Sequence, residues 1–160
     1  MKGLSNQAMK SIERLIKNKF DALSLRFLGL IPKKSKEKSI TFTTTRDNLM
    51  SLFLQGLGSR NPNKNEEQTL KVLMGIASGY IDSLQEKTTS KILHELDSYI
   101  REKNVEKKPA SSSKVNDIIN ENMKESKKHF EMIARAESNK AVNMGTALQI
   151  SKMAEKKNID

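Results

Sequence analysis

The chain has 160 residues, a net charge of +10 and a mean hydropathy of −0.63. It is 36% apolar and 4% aromatic, with seven glycines and three prolines, which supports a modest helical core and argues against a turn-rich β-sandwich or barrel. The absence of cysteine excludes disulfide scaffolds, thiol nucleophiles and Cys-ligated zinc together.

The first predicted element is a helix over residues 5–28. Leu4, Ala8, Ile12, Leu15, Ile16, Phe20, Leu23 and Phe27 recur at steps of three and four, which gathers them on one face. Lys10, Arg14 and Lys17 fall on the opposite face. Ser5 serves as the N-cap, and Gly29 and Pro32 stop the helix. A basic connector, KKSKEK, follows at 33–38. Residues 39–45, SITFTTT, are rich in β-branched side chains that lose rotamer freedom in a helix, so they read as a short strand or an extended arm. With no second strand evident, the arm is expected to pair with another molecule.

Thr45 is the expected cap of a short helix over 46–57, ended by Gly56 and Gly58. The cluster GSRNPNKN at 58–65 is a turn. Asn65, with Glu66 and Glu67 behind it, then opens a helical pattern to about residue 104, with a break expected at 87–90, KTTS. One stripe runs through Leu70, Leu73, Met74, Ala77, Tyr80, Ile81 and Leu84, and the next through Ile92, Leu93, Leu96, Tyr99 and Ile100. Gly75 and Gly79 on this helix indicate close approach of another backbone. KKPASSS at 107–113 is a linker, with Ser112 or Ser113 to cap a last helix over 114–156. The stripe of that helix is Val115, Ile119, Met123, Phe130, Ile133, Ala141, Met144 and Leu148.

The chemistry-bearing types form no catalytic, cofactor or metal set. His94 and His129 make no HExxH pattern and read as surface or core-edge histidines. Ser111 and Lys114 satisfy SxxK inside a serine-rich linker, and Gly56-Leu57-Gly58 reads as a helix stop rather than half of a dinucleotide fingerprint. The longest run free of Asp, Glu, Lys and Arg is twelve residues, 48–59, short of the roughly 20 of a membrane span. The N-terminus lacks the continuous apolar run of a secretory signal.

Charge is uneven. Residues 1–60 carry twelve basic and four acidic side chains, and residues 1–38 carry ten against three. That surplus marks Lys10, Arg14, Lys17, Lys33, Lys34, Lys36 and Lys38 as candidates for contact with an anionic partner, beside the plainer reading of a solvated basic face. On the last helix, Glu137 falls between Ile133 and Ala141 at four-residue steps, so a carboxylate sits on the apolar stripe and needs a fixed partner. Arg135, two residues away, points elsewhere. Gly145 adds a second site of tight approach or bending.

Residues 133–145, IARAESNKAVNMG, resemble the "ARTE…A.N.G" helix of the phage minor head proteins of the Mu-like head morphogenesis family. Arg135, Glu137, Asn143 and Gly145 match the motif, and Ala136 stands where the family has Thr. The first 110 residues carry no such resemblance. The resemblance implies a non-enzymatic minor capsid protein of a tailed phage, assembled in the host cytoplasm into the virion head. There it would act at the portal vertex, in several copies, beside the portal and other head proteins and in contact with packaged DNA. Family members continue past this helix into a C-terminal region, often with a Cys-bearing motif, so nothing that region does carries over to this chain.

The expected fold is all-α, an elongated helical bundle or hairpin of about five helices, two of them long, with one short extended arm. Its expected parts are a basic region (1–60), a central long helical segment (61–106), the linker (107–113) and the motif-bearing helix (114–160). The last two long helices should pack antiparallel across the linker. Two readings of another class stay open from the residues alone: a cellular basic helical module that binds nucleic acid, and a peripheral membrane protein using the amphipathic first helix. Lipid is the less expected partner, because the eight apolar positions of that helix are needed for a core.

Overall fold

The computed structural model describes residues 3–32, 40–42 and 48–157. It is all-α in class: α1 (Asn6–Leu28), α2 (Leu49–Leu57), α3 (Lys64–Glu106) and α4 (Ser112–Lys157), with a small ladder of β1 (Leu30–Pro32) and β2 (Ile40–Phe42). The chain packs as two compact units. One takes residues 1–21 and 81–131; the other takes 22–80 and 132–160.

In the first unit, α1 starts where Ser5 Oγ accepts the Ala8 N–H at 3.1 Å. Ile16 and Phe20 are fully buried, as are Ile81, Ile92 and Leu96 of α3. Leu15, expected on the same face, is exposed, because the core contact of α1 narrows to the Ile16–Phe20 row. Asp97 ties down the approach to α1: its carboxylate accepts the Leu4 N–H at 2.8 Å and the Arg101 Nε–H at 2.7 Å. The Arg101 guanidinium, then the Leu4 N–H, hold the Asp97 carboxyl below its ordinary range.

The α3–α4 hairpin is antiparallel, as expected, but its middle is unbroken. KTTS does not interrupt α3. The Thr88 hydroxyl donates to Leu84 O at 2.8 Å and meets Ser126 Oγ across the seam, so the β-branched residue is held inside the helix by burial. Asn122 Nδ2 donates to Glu95 Oε2 at 2.9 Å and to Ile118 O at 2.8 Å, and Lys91 pairs with Glu125 at 3.0 Å. The turn between the helices is closed by backbone bonds from Lys108 N to Lys103 O and from Lys107 N to Asn104 O, with Lys107 at a φ of 55°. Ser111, rather than Ser112 or Ser113, caps α4, and its own N–H donates to Tyr99 Oη at 2.9 Å.

In the second unit the core is Phe27, Leu28, Leu49, Phe53, Leu54, Leu57, Leu70, Leu73, Ala77 and Ala141. Asn48, not Thr45, caps α2, with its Oδ1 accepting the Ser51 N–H at 2.8 Å; Thr45 and Arg46 lie outside the described residues. Gly58, at a φ of 74°, ends the helix. α3 is capped by Asn63 instead of Asn65. Asn63 Oδ1 accepts the Glu66 N–H at 2.9 Å while Glu66 Oε1 accepts the Asn63 N–H at 2.8 Å, a reciprocal capping box.

The extended arm finds its partner in its own chain. β2 pairs antiparallel with β1 in the register Leu30↔Phe42, Ile31↔Thr41 and Pro32↔Ile40, so the expectation of an intermolecular partner is corrected. The stop signal after α1 hid a strand: Leu30 and Ile31 suit one, and Pro32 is tolerated in a two-stranded ladder because both strands are edges. Residues 39 and 43–45 of the arm lie outside the described residues.

Candidate functional site

α4 brings the matched residues of 133–145 together on two separate faces. Glu137, Ala141 and Gly145 lie one turn apart and are buried. Arg135, Asn139 and Asn143, also one turn apart, are exposed. Met132 and Ile150, both more than half exposed, bracket the exposed row.

Gly145 is where α2 crosses α4. A methyl group there would run into the Phe53 carbonyl oxygen and come within 2.8 Å of Leu57 N, and a methyl on Gly56 would run into the Val142 carbonyl oxygen and come within 3.1 Å of Thr146 N. The two backbones touch because neither residue has a Cβ. Gly145 therefore makes the tight approach expected of it. Gly56, read as a helix stop, instead lies inside α2 at this crossing.

Glu137 is 4% exposed. Lys140, not Arg135, is its partner, with Nζ donating to Oε1 at 3.2 Å from a side chain that is itself half in solvent. The other carboxylate oxygen, Oε2, is buried and has no hydrogen-bond partner among the described residues. An oxygen left this way costs on the order of 1–3 kcal/mol, so the fold gains little from this carboxylate.

The basic candidates divide. Lys10, Arg14 and Lys17 line an open groove of about 700 Å³ in the first unit, with Glu13 and Asn18 of α1 and Gln85, Glu86, Thr89 and Ser90 of α3. Three cations are interleaved there with two carboxylates, which damps the field that the sequence count implies. Lys33, Lys34, Lys36 and Lys38 lie outside the described residues.

Two polar clusters were not singled out from sequence. Glu66, almost wholly buried, is gripped by Lys152 at 3.1 Å as well as by the Asn63 N–H. Burial pushes its carboxyl up, but the Asn63 N–H and Lys152 together outweigh that and hold it below the ordinary value of 4.5. The signal was present as N-x-x-E at 63–66. The buried Asn122 and Ser126 lie four residues apart and four before Phe130, a polar continuation of the apolar stripe.

Among the described residues, no group of three His, Cys, Asp or Glu could hold a metal ion, and no helix is long and apolar enough to cross a membrane. His94 and His129 are exposed. Ser111 Oγ is engaged as the α4 cap, facing the Lys114 N–H. No family model, curated protein sequence or solved structure matches the chain.

Proposed function

We propose that the chain is a non-enzymatic structural protein of a tailed-phage head, a minor component that acts during assembly at the portal vertex. The observation that carries the reading is the division of residues 133–145. Half of the motif-like residues, Glu137 and Gly145, are spent on packing, and the other half, Arg135 and Asn143, form an exposed polar row. A row of Arg and Asn beside Met132 and Ile150 has the mixed polar and apolar character of a protein-contact face. In this reading the portal and other head proteins meet that row, the chain is present in several copies per virion, and Lys10, Arg14 and Lys17 reach packaged DNA.

The test is association with the portal protein encoded in the same genome. Arg135→Ala with Asn143→Ala should leave the helical fold intact and abolish co-sedimentation with portal rings, because both side chains are exposed. Electron microscopy of the particle should then find the chain at the portal vertex. Undiminished association, or a genome without portal and terminase genes, would overturn the reading. Replacing Lys10, Arg14 and Lys17 by Gln should weaken duplex-DNA binding and flatten its salt dependence. If binding is instead to anionic vesicles and not to DNA, the peripheral membrane alternative gains.

A further inference from the structure

Between Val72 and Tyr80 one face of α3 is bare. Val72 is 52% exposed, Ile76 41% and Tyr80 51%. Gly75 and Gly79 share the face, and a methyl group on either would meet no atom within 4 Å. No other backbone of the described residues makes the close approach that these glycines led us to expect, and Tyr80 is exposed rather than part of the core stripe. Both glycines lie inside an unbroken helix and neither has a positive φ, so no turn or cap calls for them. Glycine weakens a helix interior, and the chain carries that cost twice in one row with no packing contact to offset it. Two glycines a turn apart make a shallow trough beside the apolar ridge of Val72, Ile76 and Tyr80, which is the relief a second helix packs into.

The flanking charges identify that helix. Residues 72–81, VLMGIASGYI, are uncharged, and Lys71 and Asp82 bound them. Eleven positions apart, these two lie along the same edge of the row, about 17 Å from each other along the axis. Both are exposed, and neither has an ion-pair partner among the described residues. A two-fold axis crossing the helix near Ile76 and Ala77 keeps a residue on its edge and reverses its height. Lys71 then meets Asp82 of a second copy, and Asp82 meets that copy's Lys71. Parallel pairing about an axis along the helix would carry each residue to the opposite edge at the same height, so that neither Lys71 nor Asp82 meets its complement.

We propose that this face of α3 is a homodimer interface, with two copies paired antiparallel through Val72, Gly75, Ile76, Gly79 and Tyr80. Five residues are far fewer than the roughly 20–30 per side of a stable complex, so the pairing is reversible and concentration-dependent. The inference does not depend on the portal reading.

The chain has no cysteine, so introduced ones report cleanly. Under mild oxidation of the full chain, Ile76→Cys should cross-link to itself. A mixture of Val72→Cys and Tyr80→Cys should give the mixed dimer in preference to either like pair. In sedimentation equilibrium, Gly79→Glu should weaken self-association at least tenfold without loss of helix content, since the position is open and Glu is the better helix former. Lys71→Glu should weaken it too, and adding Asp82→Lys should restore it. A monomer at every concentration overturns the proposal. So does like-with-like cross-linking of Val72→Cys, or association that survives both Gly79→Glu and the single charge reversal.

Discussion

The two halves of α4 hold their neighbours by different means. In its N-terminal half it faces α3 through polar side chains, with Ser126 against Thr88, Asn122 against Glu95 and Glu125 against Lys91. In its C-terminal half it faces α2 through an absence of side chains, Gly145 against the Phe53–Leu57 backbone. A seam of hydrogen bonds fixes register through specific atoms and fails in increments as each is removed. A seam of backbone contact has no side chain to yield, so one methyl group forces the helices apart.

The sharpest break of that contrast is a pair of identical substitutions. Gly145→Ala should cost about 3 kcal/mol in urea unfolding, at the upper end for overpacking, because the added methyl meets backbone. Gly79→Ala, in open space on α3, should stabilise a dilute sample by about 1 kcal/mol. Equal effects would mean that the α2–α4 crossing relaxes freely.

The polar seam should lose less. Thr88→Val leaves Ser126 buried without its partner, at about 2 kcal/mol, whereas after Ser126→Ala the Thr88 hydroxyl still donates to Leu84 O, so that change should cost less. The double variant should cost clearly less than the two together, and strict additivity in a double-mutant cycle would show that the contact carries no coupling.

Glu66 and Glu137 extend the comparison to two buried carboxylates of the second unit. Glu66 has every sign of contributing to stability. Its folded value lies below 4.5, so its contribution is whole above the ordinary carboxyl range and is lost as pH falls through the lower folded value. Glu66→Gln should remove roughly 1 kcal/mol at neutral pH, the scale of a helix cap, and flatten the acid limb of a stability–pH profile. The half-exposed Lys152 adds little beyond that. Glu137 should behave oppositely. Glu137→Met removes the orphaned oxygen at similar volume and should be neutral or stabilising by up to about 1 kcal/mol in thermal unfolding. A loss as large as that of Glu66→Gln would show that the fold itself depends on this carboxylate.

The smallest expected effect is at the α3–α4 turn. Lys107 holds a left-handed conformation that favours glycine, so Lys107→Gly should stabilise by about 0.5–1 kcal/mol, seen as a higher urea midpoint. A lower midpoint would mean that the side chain of Lys107 contributes more than its backbone costs.

Much of the helical plan was legible. Ile16, Phe20 and Phe27 mark the buried side of α1 by spacing alone, and the KKPASSS linker announces the turn of the hairpin. Local signals failed where burial outweighed them. KTTS reads as a break because each β-branched or hydroxylated residue is a slightly poor helix former, a matter of tenths of a kcal/mol. Burial of Thr88 against Ser126 between Ile81 and Ile92 is worth more. The strand at Leu30–Pro32 was hidden because a glycine and a proline around two apolar residues read as a stop.

The same limit explains the glycines. That Gly56, Gly75, Gly79 and Gly145 lack a Cβ is written in the sequence, and so is the helical spacing that places Glu137 on an apolar stripe. Periodicity is a property of one helix, and it determines which residues share a face. Which of two glycine pairs touches another backbone, and whether a carboxylate on that face finds one donor or two, depends on which helix comes alongside. Gly56 and Gly145 meet because α2 crosses α4 there, while Gly75 and Gly79 face open space on α3. Lys140 reaches Glu137 Oε1, and no neighbouring element offers a donor to Oε2 among the described residues. The Lys140 contact is local, three residues along the same helix, but the glycine contacts and the orphaned Oε2 are set by distances between elements far apart in the chain, which no local pattern encodes.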